Sequence, residues 1–211
     1  SESGAIVDAK NDNGRTALML AAELTEDPKI ITTLVKNGAA VNIEDNDGYT
    51  TLMHAAVHNQ NPEIITTLIK YGANVNKQNV MGKTALITAA ESNQNPEIIM
   101  ALIKNGANIN ARAPKWGIVL PFMIQSSTSP LTNNKVNFQD KENIGATALM
   151  AAAALNQNPD IVTTLIMNGA NVKLKNVDGK TALDYAKDNS YIYNTKAYWL
   201  LSDKMYEDEI N

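Results

Sequence analysis

The 211-residue chain contains no cysteine. That excludes disulfides, thiolate metal ligands and cysteine nucleophiles, and it leaves the redox compartment open. Neither sign of charge dominates: 18 Lys and Arg stand against 22 Asp and Glu, interspersed, for a net charge of −4. Without a basic stripe there is no footprint for nucleic acid or an anionic membrane surface. Long apolar runs are also missing. The densest, Ile118 to Ile124, is interrupted by Pro121 and is far short of the roughly 20 residues that span a bilayer. Aromatics make up only 5%, and there are two histidines, His54 and His58. The 44% hydrophobic content nevertheless suffices for a soluble globular domain. The first residues read SESG, so localisation is not legible at this terminus, and a cytoplasmic or an exported protein fits equally.

What the chain has in abundance is repetition. TEDPKIITTLVKNGAAVN from Thr25, NQNPEIITTLIKYGANVN from Asn59, NQNPEIIMALIKNGANIN from Asn93 and NQNPDIVTTLIMNGANVK from Asn156 are near copies, offset by 34, 34 and 63 residues. In each, Asp or Asn before Pro (Asp27, Asn61, Asn95, Asn158) predicts a helix start, since the side-chain oxygen caps free amides and Pro suits the first turn. A glycine about ten residues on (Gly38, Gly72, Gly106, Gly169) predicts the stop. A second phrase precedes each: GRTALMLAA from Gly14, GYTTLMHAA from Gly48, GKTALITAA from Gly82, GATALMAAA from Gly145 and GKTALDYAK from Gly179. Thr16, Thr50, Thr84, Thr147 and Thr181 are natural N-caps there, and the small residues that follow allow close helix approach. Asn-, Asp- and Gly-rich links such as VNIEDNDG predict tight turns between helix pairs. One short helix pair cannot bury its own apolar face, so the copies must stack.

The G-x-T-x-L-x-x-A-A phrase and the closing N-G-A-x-V-N resemble the ankyrin repeat over nearly the whole chain. The resemblance implies an all-α repeat solenoid of stacked helix-turn-helix units with hairpin-like turns. It also implies a non-enzymatic module that binds a protein through its turn tips and concave inner-helix side. The family usually carries Pro after the Thr and His two places later. Here those places hold Ala17 and Met19, Thr51 and Met53, Ala85 and Ile87, Ala148 and Met150, and Ala182 and Asp184. The family's Thr-to-His hydrogen bond is therefore absent, and apolar packing is expected in its place.

The units are read as a single domain over 1–211. Residues 1–13 are the tail of a preceding unit, so the array is expected to continue upstream. Residues 14–47, 48–81, 82–116 and 145–178 are regular units, and 179–211 form a C-terminal cap. The 63-residue offset exceeds one repeat by 29, so 117–144 are expected to hold one degenerate central unit. Leu120-Pro121-Phe122 overlies the inner helix and Ser129-Pro130-Leu131 the outer one. The C-terminal aromatics Tyr185, Tyr191, Tyr193, Tyr198, Trp199 and Tyr206 are expected to cover the last face of the stack.

No catalytic constellation, cofactor motif or metal site emerges. His54 and His58 share a helix face, but the sequence reads HAAVH, without the glutamate of HExxH, and two ligands do not make a site. Glu23 and Glu91, at the equivalent of Val57 in adjacent units, are the residues that could approach them. Asp45 and Asp47 are read as turn formers. Apolar residues at turn tips, where solvation favours polar ones, instead mark an interface. Tyr49, Met81, Trp116 and Ile144 are expected to form a row, with His54, His58, Thr88 and Ser92 on the adjoining inner helices. Trp116 folding back as a plug beside the short fourth unit is the competing reading. The partner is expected to be a protein of unknown identity, with no nucleic acid and no membrane insertion, bound by a monomer. The alternatives are a small-molecule or metal-binding regulatory domain, and the scaffold part of a larger protein with a catalytic domain elsewhere. Heavy use of Asn, Lys and Ile is what an AT-rich, bacterial genome would encode.

Overall fold

The computed structural model describes residues 6–113 and 145–207. Over these the chain forms five helix pairs: α1 (Ala17–Leu24) with α2 (Pro28–Lys36), α3 (Thr51–His58) with α4 (Pro62–Lys70), α5 (Ala85–Ser92) with α6 (Pro96–Lys104), α7 (Ala148–Leu155) with α8 (Pro159–Met167), and α9 (Ala182–Ala186) with α10 (Lys196–Tyr206). No strand is present among the described residues, and no helix is long and apolar enough to cross a membrane. The first helices pack on one another in the order α1, α3, α5, α7, α9, and the second helices α2, α4, α6, α8, α10 form a parallel row behind them. This is an all-α repeat solenoid.

The expected caps account for the boundaries. Thr16, Thr50, Thr84 and Thr147 each accept a hydrogen bond from the amide three residues on, and Asp27, Asn61, Asn95 and Asn158 each accept from the amide two residues on. The outer helices end at residues such as Gly72, whose φ of 91° is a conformation that side chains disfavour. At the tight turn of the second unit Gly48 is required for space as well, because a Cβ there would stand 2.9 Å from the amide nitrogen of Val80 in the next turn.

A single apolar cluster runs the length of the stack. The alanine pairs (Ala55 and Ala56, Ala89 and Ala90, Ala152 and Ala153) fill the narrow inner seam, and Ile64, Ile65 and Leu68 with their equivalents fill the layer between the helix rows. Met19, Met53, Ile87 and Met150 are all buried, so thioether and aliphatic packing occupies the place of the family's histidine.

Asparagine stitches the units together in ladders. Asn59 donates to the carbonyls of Ala22 and Thr25, Asn93 to those of Ala56 and Asn59, Asn156 to those of Ala90 and Asn93, and Asn189 to those of Ala153 and Asn156. A second ladder runs from Asn61, Asn95 and Asn158 to the carbonyls of Glu26, Gln60 and Gln94. In a third, Asn42, Asn76 and Asn110 accept from the amides of Asn74, Asn108 and Asn171. Asp8 accepts from Ala40 in the same way, so residues 6–13 make the contact that the tail of any unit makes. Much of the asparagine content thus has a structural use: an amide side chain both donates and accepts, which satisfies buried backbone groups on two units at once.

The α7 helix packs directly on α5, and Asn156 bonds the carbonyls of Ala90 and Asn93, so the third and fourth described helix pairs are in contact. Ala113 and Ala146 are paired in an antiparallel bridge, with the Ala113 amide donating to the Ala146 carbonyl at 3.1 Å. Asn79 and Lys83 make the same bond at 3.0 Å across an ordinary turn. Residues 117–144, read from spacing as a shortened repeat, lie outside the described residues, as does Trp116.

The cap also differs in part from expectation. Its core is Leu183, Ala186, Ile192, Ala197 and Leu201 with the ring of Tyr185, whereas Tyr191, Tyr193, Trp199 and Tyr206 are exposed. Tyr198 packs against the core, and Tyr193 and Trp199 each pack edge to face on its ring. The acid at position 184, where the other units carry Met or Ile, completes a capping box with Thr181.

Candidate functional site

Residues just after the turn glycine and residues near the end of the first helix meet on the same side of each unit. In the first unit they are Arg15 and Glu23, joined at 3.0 Å; in the third they are Lys83 and Glu91, joined at 2.8 Å. The second unit has Tyr49 and Val57 in these places and forms no ion pair there. A groove of about 290 Å³ opens between the two flanking pairs, lined by Arg15, Asp45, Asp47, Tyr49, His54, Val57, His58, Thr88, Glu91 and Ser92.

Five of the residues expected from sequence, Tyr49, His54, His58, Thr88 and Ser92, are brought together here. They do not contribute equally. His54 is only 3% exposed and Thr88 is buried, with its hydroxyl donating to the Ala85 carbonyl, whereas His58 and Ser92 face outward. Met81 is exposed at its turn tip but is not part of the groove lining. Trp116 and Ile144 lie outside the described residues.

The buried imidazole organises the floor. His54 Nε2 lies 2.8 Å from Asp45 Oδ2, and its Nδ1 lies 3.7 Å from Glu23 Oε2. Asp45 is also a turn former, since its other oxygen accepts the amides of Asp47 and Tyr49. Arg15 Nε is 4.0 Å from Asp45, and the Tyr49 ring tilts against the His54 ring at 5.6 Å. Burial lowers the His54 pKa, with the Asp45 hydrogen bond acting the other way. Burial raises that of Tyr49, and the carboxylates of Glu91, Asp45 and Asp47 raise it further.

The direction for His54 gives a prediction. A folded-state pKa below the unfolded value of about 6.5 means that the unfolded chain takes up a proton where the folded one resists it. This stability term is intact above that pH and is lost as pH falls below it, until the folded pKa is reached. Denaturation midpoints should therefore fall on going from pH 7.5 to 5.5, and fall less in His54→Gln, which keeps a donor for Asp45 without titrating. A wild-type midpoint that rises relative to the variant on acidification would mean that the carboxylates outweigh burial.

Glu23 approaches both histidines, at 3.7 Å from His54 and 3.9 Å from His58, while Glu91 is engaged by Lys83. Among the described residues no group of three or more His, Asp or Glu side chains is gathered tightly enough to hold a metal ion. The sequence reading missed Arg15, Asp45, Asp47 and the two ion pairs. Their signal was present, as opposite charges eight residues apart at the same place in the first and third units and absent from the second.

Family models describing ankyrin repeats match residues 2–79, 25–113 and 131–186. The chain belongs to the ankyrin repeat family, whose repeats generally serve as protein–protein interaction modules and are typically non-catalytic. No curated protein matches the chain.

Proposed function

We propose that this chain is a non-enzymatic protein-binding module that receives its partner on the inner-helix face and turn tips of its first three units. The observation that carries this reading is the groove between the Arg15–Glu23 and Lys83–Glu91 pairs, where Tyr49, His58 and Ser92 are accessible on a rigid helical floor. Binding residues concentrate on loops that such a scaffold positions. Met81, exposed at the adjoining tip, extends the surface. Trp116 and Ile144 are its further members by sequence position.

The test is site-specific photocrosslinking in extracts of the native cell. A crosslinker at Ser92 in the groove should capture one protein species that is not captured from Thr66, an exposed position on α4. Capture from Thr66 alone, or from neither position, would overturn the reading.

A further inference from the structure

In the described turns an Asp or Asn closes the turn with its Oδ1, which leaves the second side-chain atom to be satisfied elsewhere. Asp45 accepts the Asp47 and Tyr49 amides through Oδ1 and pairs its Oδ2 with His54, nine residues on. Asn176 accepts the Asp178 and Lys180 amides and gives its own amide to the Tyr185 hydroxyl, again nine residues on, at 2.7 Å. In the first unit the place nine residues on is Leu20, which has no polar side-chain atom, but Asn11 is exposed and its amide meets solvent. The third unit departs from all three. Asn79 closes its turn in the usual way, accepting the amides of Met81 and Lys83 at 3.0 and 2.9 Å. The residue nine places on is Thr88, however, and its hydroxyl is turned to the Ala85 carbonyl. Asn79 is 6% exposed, and its Nδ2 is enclosed without a hydrogen bond among the described residues. A buried donor left so is costly, and native chains seldom keep one.

We infer that Asn79 is the positioning residue for Tyr49: its amide donates to the Tyr49 hydroxyl across the boundary between the second and third units and fixes the ring in the groove. Three observations bring the two together. The third turn lies directly on the base of Tyr49, since a Cβ on Gly48 would stand 3.3 Å from the Asn79 Cα and the Val80 amide donates to the Asp47 carbonyl. The two turn bonds to Oδ1 set the plane of the Asn79 side chain, so its Nδ2 is not free to swing to another acceptor. Burial and the carboxylates of Glu91, Asp45 and Asp47 raise the Tyr49 pKa, and the Asn79 side chain acts downward against them. A donor at the phenol oxygen has that sign, because it favours the phenolate. The pair repeats the Asn176–Tyr185 bond between units instead of within one. Its role in the groove rests on the proposed function. The bond itself is a property of the free chain, so its test can fail while crosslinking from Ser92 succeeds, and the reverse.

The test follows the phenol carbons of the tyrosines by NMR in the whole chain as pH is raised, with Tyr49→Phe assigning the Tyr49 signal. Asn79→Ser keeps a hydroxyl able to close the turn and removes the amide donor without adding charge. Loss of the bond should raise the Tyr49 pKa by about 0.5 to 1, the scale of one hydrogen bond. Mere loosening of the turn would instead admit water to the ring and lower the pKa, because burial is what raises it most. The second arm leaves the turn intact: one Nδ2 proton of Asn79 should move upfield in Tyr49→Phe, as one of Asn176 should in Tyr185→Phe, the control for a bond of this kind. An unchanged or lowered Tyr49 pKa in Asn79→Ser, or an Asn79 amide indifferent to Tyr49→Phe while the Asn176 control responds, overturns the inference.

Discussion

Truncation of Leu68 to alanine is expected to lower the unfolding free energy by about 2–5 kcal/mol, the range for buried leucines whose surroundings collapse only in part. Leu68 lies on the α4 face between Ile64 and Ile65 and is fully buried. Its backbone carbonyl also accepts the amides of Tyr71 and Ala73, which close the end of the helix. Relaxation around a cavity there is opposed from two sides, because α4 is packed between α2 and α6. The Leu34 equivalent in the first unit is only partly buried, so Leu34→Ala should cost measurably less. Urea denaturation of both variants checks the pair. A Leu68→Ala midpoint within error of wild type would show that this layer is not the core.

Replacing Asn93 by alanine is expected to cost about 2–4 kcal/mol, since each buried backbone group left without a partner costs about 1–3 kcal/mol. The side chain donates to Ala56 and Asn59 at 3.0 and 2.9 Å, and its oxygen accepts the Asn95 amide at 2.8 Å. Asn93 is nearly fully buried, in the middle of the ladder. Asn93→Asp is the sharper probe. It keeps the shape but turns the donor into a carboxylate oxygen facing two carbonyls, so it should destabilise more than alanine does. If alanine and aspartate both fall within about 0.5 kcal/mol of wild type, water replaces the amide, and the ladder is not what joins the units.

The helix pairs, their caps and their stacking were legible because each rests on local chemistry: a Thr or Asn before a helix, a Gly after it, alanines on one face. The direct seating of the fourth described helix pair on the third was not. The groups that join them, Asn110 with Asn171 and Ala113 with Ala146, carry no mark in sequence of which unit they meet. Every unit offers the same asparagine to whichever unit follows. The groove was half legible. The i, i+4 spacing placed His54 and His58 on one face, but the Asp45 partner reaches His54 across the Thr50 cap from a turn whose carboxylates sequence reasoning assigned to backbone alone. Once such a side chain serves a turn with one oxygen and an imidazole with the other, its residue type no longer distinguishes the two uses.

The bridge between Ala113 and Ala146 bears on how the stack assembles in time. Folding of a repeat array propagates by nearest-neighbour docking, and along most of this chain the docking contacts join residues about one repeat apart. At the α5–α7 interface the Asn156 contacts to Ala90 and Asn93 span 66 and 63 positions. Contacts of greater sequence separation form more slowly. The Asn156 contacts match those of Asn59, Asn93 and Asn189 at the other interfaces, so this seam is kinetic more than structural. The first three helix pairs and the last two are therefore expected to consolidate as separate blocks before they join.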